Sequence, residues 1–205
     1  MRLLNWKRAK LGDYNMYTLT DEKEKIIAKI IKLEQKMFVA VRPLEPAACQ
    51  HMLKTFYAMR RMSHSVLSID TLQSYFQDLI IAVAIGRNLV TEKYARMDNL
   101  IPHLQQNEAI DHIISMETEW MQSLHEKYPL TVRFDENFAK YAAGELETYS
   151  THTLILYQRD IAYAYHHGIN LVEQRYLLLY QGMGFENLEA VEAIAKKRGV
   201  IKSAN

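Results

Sequence analysis

One stretch of the chain occurs twice: SIDTLQSYFQDLIIAVAIGRNLVTEKY at residues 68–94 and STHTLILYQRDIAYAYHHGINLVEQRY at residues 150–176. The two copies lie 82 residues apart and are identical at 11 of 27 positions without a gap. Phe56 and Phe138 keep the same offset. Because so long a match is not expected by chance, we interpret it as an internal duplication, in which both copies form the same supersecondary unit.

Helices are the elements that both copies predict. Apolar residues recur at helical spacing in Ile30-Ile31-x-x-Glu34, and the same pattern returns 83 residues later as Ile113-Ile114-x-x-Glu117. Only seven Gly and four Pro are available to interrupt the helices of 205 residues. We therefore predict an all-α helical bundle built from two tandem repeats that are related by a pseudo-twofold axis.

Cap and stop residues give the expected helix bounds. In the first half, helices are predicted from Thr20-Asp21 to before Pro43, from Gln50 to Met62, from Ser68 to Gly86 and from Asn88 through Met97. In the second half they run from about Ile110 to before Pro129, from Asp135 to Thr148, from Ser150 to Gly168, from Asn170, and from Asn187 to Lys197. We expect an N-terminal arm at 1–20, one helical domain at 21–185 with repeats at about 21–103 and 104–185, and a C-terminal helix and tail at 186–205.

Composition excludes several classes of function. The chain has a net charge of +1, and no basic stripe is interleaved with aromatic residues, so nucleic acid is not an expected partner. No apolar run is long enough for a signal peptide or a membrane span, so no membrane association is expected. The single cysteine, Cys49, cannot form an internal disulfide, which suits a cytoplasmic location.

Two glutamates stand on apolar helix faces. Glu34 lies four residues after Ile30, and Glu117 lies four after Ile113, so both should face the interior. A buried carboxylate must be paired, metal-bound or neutral. One interpretation is a buried salt bridge or a cap on a neighbouring helix; the other is a pair of carboxylates across the pseudo-twofold axis that binds a metal pair or shares a proton.

A second polar set repeats on one helix face. Thr71, Tyr75 and Asp78 are spaced i, i+4, i+7, and the same residue types recur as Thr153, Tyr157 and Asp160. Aspartate is a poor residue for the middle of a helix, so its repetition indicates an interior polar partner. These residues either form a structural hydrogen-bond network or line a pocket for a polar ligand.

Charged residues differ between the copies. Arg60 and Arg61 align with alanines, whereas Glu145 and Glu147 align with serines. These arginines and glutamates could pair between the halves, or they could form an asymmetric site in which arginine binds an anionic group and a glutamate acts as acid or base. Glu92 and Arg96, at i and i+4, could pair on their own helix.

Histidine and cysteine give weaker signals for a metal. Cys49-x-His51 could be a metal or thiol site, but such residues more often serve packing. None of the glutamates singled out above has a histidine three residues later, as di-metal helical bundles require. Phosphate loops, nucleotide fingerprints, serine elbows and zinc spacings are absent from the sequence.

Several strings carry a family resemblance. Thr91–Met97 reads TEKYARM and Gly144–Ser150 reads GELETYS, and they accompany Leu33-Glu34-x-x-Met37-Phe38, Phe56-x-x-Met59-Arg60-Arg61 and Glu117-x-x-Trp120. Over about residues 24–185, the chain resembles an uncharacterised family of small bacterial proteins known as a domain of unknown function. The resemblance implies a bacterial cytoplasmic protein and brings no activity, cofactor or catalytic residue.

We expect a polar pocket between the repeats that binds a small anionic or metal-containing ligand. The candidate lining residues are Glu34, Arg60, Arg61, Tyr75, Asp78, Glu92, Arg96, Glu117, Glu145, Glu147, Tyr149, Tyr157 and Asp160, with Glu34 and Glu117 as weak candidates for metal ligands. The alternative is a structural or protein-interaction module in which the buried polar groups serve fold specificity alone. Both alternatives leave a homodimer open, and the cofactor, if any, is unknown.

Overall fold

The structure, a computed structural model, describes residues 20–41, 53–135 and 137–203, with side chains to residue 199. These residues form nine α-helices and no strand, which confirms the predicted all-α class. The predictions for residues 1–19 and for Cys49-x-His51 lie outside the described residues. In chain order the helices are α1 (Asp21–Val39), α2 (Leu53–Ser65), α3 (Ile69–Ala84), α4 (Leu89–Met97), α5 (Glu108–Lys127), α6 (Phe138–Leu146), α7 (Thr151–His166), α8 (Leu171–Gly182) and α9 (Leu188–Ser203).

The repeated helices begin and end where the caps predict. The hydroxyl groups of Ser68 and Ser150 accept from the backbone N–H groups three residues on, at 3.3 and 3.2 Å. Asn88 and Asn170 do the same at 2.9 Å each. At the other ends, Gly86 and Gly168 take φ values of 75° and 64°, a left-handed conformation that glycine adopts without a steric cost.

Four predicted helix bounds were wrong. Helix α2 continues past Met62 to Ser65, and α9 continues past Lys197 to Ser203. Helix α6 starts at Phe138 rather than Asp135 and ends at Leu146 rather than Thr148. The carboxylate of Asp135 accepts from the backbone N–H of Asn137 at 2.8 Å; this local turn delays the start of α6.

Each half is organised around its first long helix. Helix α1 packs against α2, α3 and α4, and α5 packs against α6, α7 and α8. Between the halves, α2 packs on α8, α6 packs on α4, and α3 packs on α7. Exchanging the two halves converts this set of contacts into itself, as a pseudo-twofold arrangement requires. The predicted axis therefore agrees with the helix contacts and stays a prediction.

The core is continuous across the two halves. Its side chains include Ile27, Ile30, Leu72 and Leu79 from the first half and Ile113, Leu124, Leu154 and Ile161 from the second, all at most 2% exposed. Burying each such side chain contributes about 1.5–3 kcal/mol. Gly144 lets α6 approach α4 closely, because a Cβ atom there would lie 3.1 Å from the backbone oxygen of Lys93.

The two repeated aspartates cap helices of the opposite half. Asp160, fully buried in α7, accepts from the backbone N–H of Ser68 at 2.8 Å and from the hydroxyl of Thr71 at 2.6 Å. Asp78 of α3 accepts from Ser150 at 2.9 Å and from Thr153 at 2.6 Å. Each half thus stabilises the start of a helix in the other, and the contacts are reciprocal.

Replacing Asp160 by Asn should destabilise the protein by about 1–3 kcal/mol. The amide oxygen can take the place of Oδ2, but the hydrogen bonds lose their charge and the amide nitrogen then faces the Nη2 donor of Arg159. Urea unfolding monitored by circular dichroism would measure the change. Asp98→Asn, at an exposed position after α4, is the matched control and should change stability by less than about 0.5 kcal/mol. Equal effects of the two substitutions would contradict the capping role.

Candidate functional site

A cavity of about 490 Å³ lies between the two halves. Its lining comes from the helices α1 to α8 together with the turns around Leu67 and Tyr149. Aromatic and aliphatic side chains form one part of the wall, and two clusters of ionisable side chains form the other. The cavity therefore lies between the halves, where the sequence predicted a polar pocket.

Glu34 is the centre of the first polar cluster. Its side chain is 2% exposed, and it receives a two-pronged hydrogen bond from Arg60: Nε to Oε2 at 2.9 Å and Nη2 to Oε1 at 2.6 Å. His64 lies 3.1 Å from the same carboxylate through Nε2, and the Tyr75 hydroxyl donates to it at 2.9 Å. Three side chains from two further helices therefore satisfy this buried charge.

Arg60 also binds a carboxylate of the second half. Its Nη2 and Nη1 donate to Oε1 and Oε2 of Glu145 at 2.8 and 3.1 Å. Lys93 donates to Oε2 of Glu145, and the hydroxyl of Tyr149 donates to Oε1 at 2.9 Å. The guanidinium of Arg60 thus lies between two carboxylates and joins α1 and α2 to α6.

These contacts determine the ionisation of the cluster. Burial alone would raise the pKa of Glu34, but the charges of Arg60 and His64 outweigh it and lower the pKa to about 2. Burial likewise opposes ionisation of Glu145, while Arg60 and Lys93 hold its pKa well below the ordinary value. Burial and the Glu34 carboxylate raise the pKa of Tyr75 well above the ordinary value. At neutral pH the site therefore holds ionised carboxylates and neutral phenols.

The second half supplies a smaller polar cluster, which contains Glu117, Tyr157 and Arg175. The Tyr157 hydroxyl donates to Oε1 of Glu117 at 2.5 Å, and Nη2 of Arg175 donates to the same oxygen at 2.5 Å. Nη2 of Arg175 also donates to the hydroxyl of Tyr157 at 2.5 Å. The Nε atom of Arg175 is buried and has no hydrogen-bond partner among the described residues. This cluster is therefore less completely satisfied than the one around Glu34.

The remaining wall of the cavity is apolar and aromatic. Phe38 and Phe56 stack with ring centroids 4.6 Å apart, and Phe138 of the second half also lines the space. Met59 and Tyr141 are lining residues as well and are substantially exposed, so they mark the side that opens to solvent. A molecule in the cavity would meet rings on one side and charged groups on the other.

Most of the unused hydrogen-bonding capacity of these polar groups is that of donors. Glu34 and Glu145 each accept four hydrogen bonds or close histidine contacts, which fills the lone pairs of a carboxylate. Arg60 uses four of its five N–H groups on them, and Lys93 uses one of three on Glu145. The unused capacity is therefore that of N–H groups on Arg60, Lys93 and Arg175, together with Oε2 of Glu117, which accepts from no residue that the structure describes.

Seven of the predicted site residues line this cavity: Glu34, Arg60, Tyr75, Glu117, Glu145, Tyr149 and Tyr157. The other six lie elsewhere. Asp78 and Asp160 cap helices, as described above, and Arg61 pairs with Glu24 on the outer side of α2. The structure brings Arg60 and Glu145 together as an ion pair between the halves, but not Arg61 and Glu147.

The predicted pairing of Glu92 with Arg96 on α4 was wrong. Glu92 instead accepts from Arg87, at 2.9 and 2.6 Å. Arg96 donates from Nε and Nη2 to Glu147 at 2.6 and 3.0 Å. Leu104 also donates its backbone N–H to Glu147 at 3.0 Å, so this buried pair fixes the connection between α4 and α5. Partners from other segments therefore outcompete a neighbour on the same helix.

Sequence reasoning missed His64, Lys93 and Arg175. A signal for the two cations was present, because Lys93 and Arg175 occupy equivalent positions of the repeat, 82 residues apart. His64 lies one helical turn after Arg60 and so shares its face, but no repeated residue marks it. Phe56 and Phe138, which established the extent of the duplication, both line the cavity.

The donor set of the cavity does not resemble a metal site. Within residues 20–41, 53–135 and 137–203, no three His, Cys, Asp or Glu side chains are arranged to hold a metal ion. Each of the two candidate carboxylates, Glu34 and Glu117, is instead bound by a guanidinium group. A positive charge in that place competes with a cation for the same oxygens, so these residues do not fit the predicted metal pair.

Comparison with known proteins identifies a family. A family model described as "Protein of unknown function (DUF4125)" matches residues 24–193, and the chain belongs to this family. The match confirms the resemblance drawn from the sequence. No curated protein and no solved structure matches the chain. No helix of the described residues has the length and apolar character needed to span a bilayer.

Replacing Glu34 by Gln should reduce stability by about 3 kcal/mol at neutral pH, because Arg60 and His64 lose a buried charged partner. The folded-state pKa of Glu34 lies below its unfolded value, so its stabilisation is present above about pH 4.5 and is lost as the pH falls towards 2. Urea unfolding at several pH values should therefore show the two proteins converging in acid.

Glu119→Gln, at an exposed position of α5, is the control for this prediction. It should follow the wild-type pH dependence in parallel. A constant difference between wild type and Glu34→Gln down to about pH 2 would contradict the assignment of Glu34 as an ionised buried carboxylate.

Proposed function

We propose that this protein binds a small molecule in the cavity between its two halves, with an apolar or aromatic body against the rings and an oxygen-rich head group against the charged clusters. The observation that carries the proposal is the composition of one cavity. Phe38, Phe56 and Phe138 line it together with Arg60, Lys93 and Arg175. Concave sites with mostly apolar walls and a few convergent polar groups are typical of ligand pockets.

The size of the cavity supports a ligand rather than a packing defect. Its volume of about 490 Å³ is within the range of roughly 300–1,000 Å³ that ligand pockets occupy. Interior voids that arise from imperfect packing are seldom larger than a water molecule. The cavity also opens to solvent beside Met59 and Tyr141, which gives a small molecule a route of entry.

The excess of donors supports an oxygen-rich head group. Carbonyl, carboxylate, sulfonate and phosphate oxygens accept hydrogen bonds, whereas an amine would have to compete at Glu34 and Glu145, which are already fully used. The sequence predicted an anionic or a metal-containing ligand. The number of unused N–H donors favours the anionic class. The guanidinium groups on Glu34 and Glu117 argue against metal coordination by the same carboxylates.

The ionisation of the cluster favours binding over acid–base catalysis. Glu145 was a candidate acid or base, but Arg60 and Lys93 hold its pKa well below the ordinary value. A carboxylate that is already ionised and fully hydrogen-bonded is a poor proton donor at neutral pH and a weak base. The role that fits Glu34 and Glu145 is to fix Arg60 and Lys93 in place for a ligand.

One observation favours a second function, a protein-interaction module. Four exposed apolar side chains lie at the end of α3 or directly after it: Ile80, Ile81, Val83 and Ile85. Such a patch is typical of surfaces that contact another protein, including a second copy of this chain. Because the patch lies at the end of α3 and none of these residues lines the cavity, the two functions can be tested separately.

Filling the cavity tests the proposed function. Ala142 of α6 lines the space, whereas Lys140 on the same helix is exposed and does not. The fluorescent dye N-phenyl-1-naphthylamine, which is uncharged and aromatic, serves as the probe. Ala142→Trp should weaken its binding by about tenfold or more, since the indole occupies the volume that the dye needs.

Lys140→Trp is the matched control and should leave the affinity of the dye unchanged, while circular dichroism checks that both variants remain folded. A screen of small acids by thermal shift would then search for ligands that stabilise the wild type but not Ala142→Trp. The proposal fails if dye and acids bind Ala142→Trp as they bind the wild type.

A further inference from the structure

We propose that the ligand carries an oxyanion and that this group binds at Arg175, beside Glu117 and Tyr157, rather than at Arg60. The inference rests on the binding function proposed above and assigns the orientation of the ligand within the cavity. It is carried by a difference between two arginines that line the same space. Carboxylate, sulfonate and phosphate groups share the chemistry in question.

The two arginines differ in how fully their N–H groups are used. Arg60 binds Glu34 through both Nε and Nη2, and it then binds Glu145 through both terminal nitrogens. Arg175 binds Glu117 through Nη2 alone. Its Nε is buried and has no partner within the part of the chain that the structure describes. Arg175 therefore keeps an N–H group without an acceptor among the described residues, whereas Arg60 uses four of its five N–H groups.

A buried donor without an acceptor favours a ligand at that position. Arg175 is 8% exposed, so bulk water does not readily take the place of a partner at Nε. Leaving such a donor without an acceptor costs free energy, and a ligand oxygen that accepts from it recovers that cost on binding. Lys93, the equivalent residue of the first half, is more exposed and already bound to Glu145, which makes it the weaker anchor.

The charge of the lining permits an anion. Glu34, Glu117 and Glu145 carry three negative charges, and Arg60, Lys93 and Arg175 carry three positive charges, so the lining is formally neutral before the histidine is counted. Hydrogen bonds from guanidinium to a charged oxygen are about twice as strong as those between neutral groups. An oxyanion therefore gains more at Nε than a neutral carbonyl does, while the rings of Phe38, Phe56 and Phe138 receive the rest of the molecule.

Two dyes with one skeleton test the assignment. 1-Anilinonaphthalene-8-sulfonate carries an oxyanion, and N-phenyl-1-naphthylamine is the same ring system without it. Arg175→Lys keeps a positive charge beside Glu117 but removes the Nε donor. It should weaken binding of the sulfonate by about tenfold, the loss expected for one charge-assisted hydrogen bond, and leave the affinity of the uncharged dye within about twofold.

Arg96→Lys is the matched control, because Arg96 forms a buried fork with Glu147 that does not line the cavity. It should change the affinity of neither dye. The double variant Arg175→Gln/Glu117→Gln removes both charges of the pair together and keeps the test available if Arg175→Lys does not fold, as judged by circular dichroism. It should weaken binding of the sulfonate alone.

The outcomes separate the two proposals. Selective loss of sulfonate binding in the Arg175 variants supports the assignment. If sulfonate and uncharged dye keep their affinities in both Arg175 variants, the oxyanion site is overturned while the cavity remains a binding site. If neither dye responds to Ala142→Trp, the proposed function fails, and the oxyanion site fails with it.

Discussion

The guanidinium of Arg60 lies between two carboxylates, and the rest of the site depends on that arrangement. Glu34 comes from the first half of the chain and Glu145 from the second, and Arg60 hydrogen-bonds to both. None of the three groups can be buried alone without a large cost in solvation. Together these three side chains hold α1, α2 and α6 at a fixed separation. If the helices moved closer, the hydrogen bonds among the three side chains would break. The cavity is the volume that remains.

The site combines residues that are repeated in the two copies with residues that occur in one copy only. The symmetric residues, such as Asp78 and Asp160 with the serines and threonines that they cap, join the halves through reciprocal hydrogen bonds. In the cavity, Tyr75 and Tyr157 are an equivalent pair, as are Lys93 and Arg175. Arg60 and Glu145 have no such counterpart, because they align with Ala142 and Ser63. A symmetric pair of clusters would have placed equal charges at both ends of the cavity. Divergence between the copies has instead given one cluster whose carboxylates are fully hydrogen-bonded and one cluster with an N–H donor that is unpaired in the described part of the chain.

Much of the fold follows from the sequence because its signals are local. Ser68, Asn88, Ser150 and Asn170 begin helices through contacts with residues three positions away, and Gly86 stops one by its own conformation. Such interactions need no knowledge of the tertiary structure. The burial of Glu34 could be predicted for the same reason, since its position on an apolar stripe is a property of one helix.

Pairing across the structure could not be predicted in the same way. Glu92 and Arg96 are neighbours on α4, yet each binds a residue elsewhere, because the packing of α4 on α6 brings Glu147 to Arg96. The same packing brings Lys93 to Glu145. The only signal in the sequence for a role of Lys93 was its alignment with Arg175. Partners of charged side chains depend on the distances between helices, which hydrophobic periodicity does not encode.

A crystal structure of the full chain grown with 1-anilinonaphthalene-8-sulfonate would show whether the cavity binds a ligand while Arg60 stays between its two carboxylates. The dye should lie in the cavity between the halves, with its rings against Phe38, Phe56 and Phe138 and its sulfonate within hydrogen-bond distance of Arg175. Arg60 should still bind Glu34 and Glu145. A cavity filled by the protein's own side chains, or Arg60 turned away from both carboxylates into solvent, would contradict this expectation.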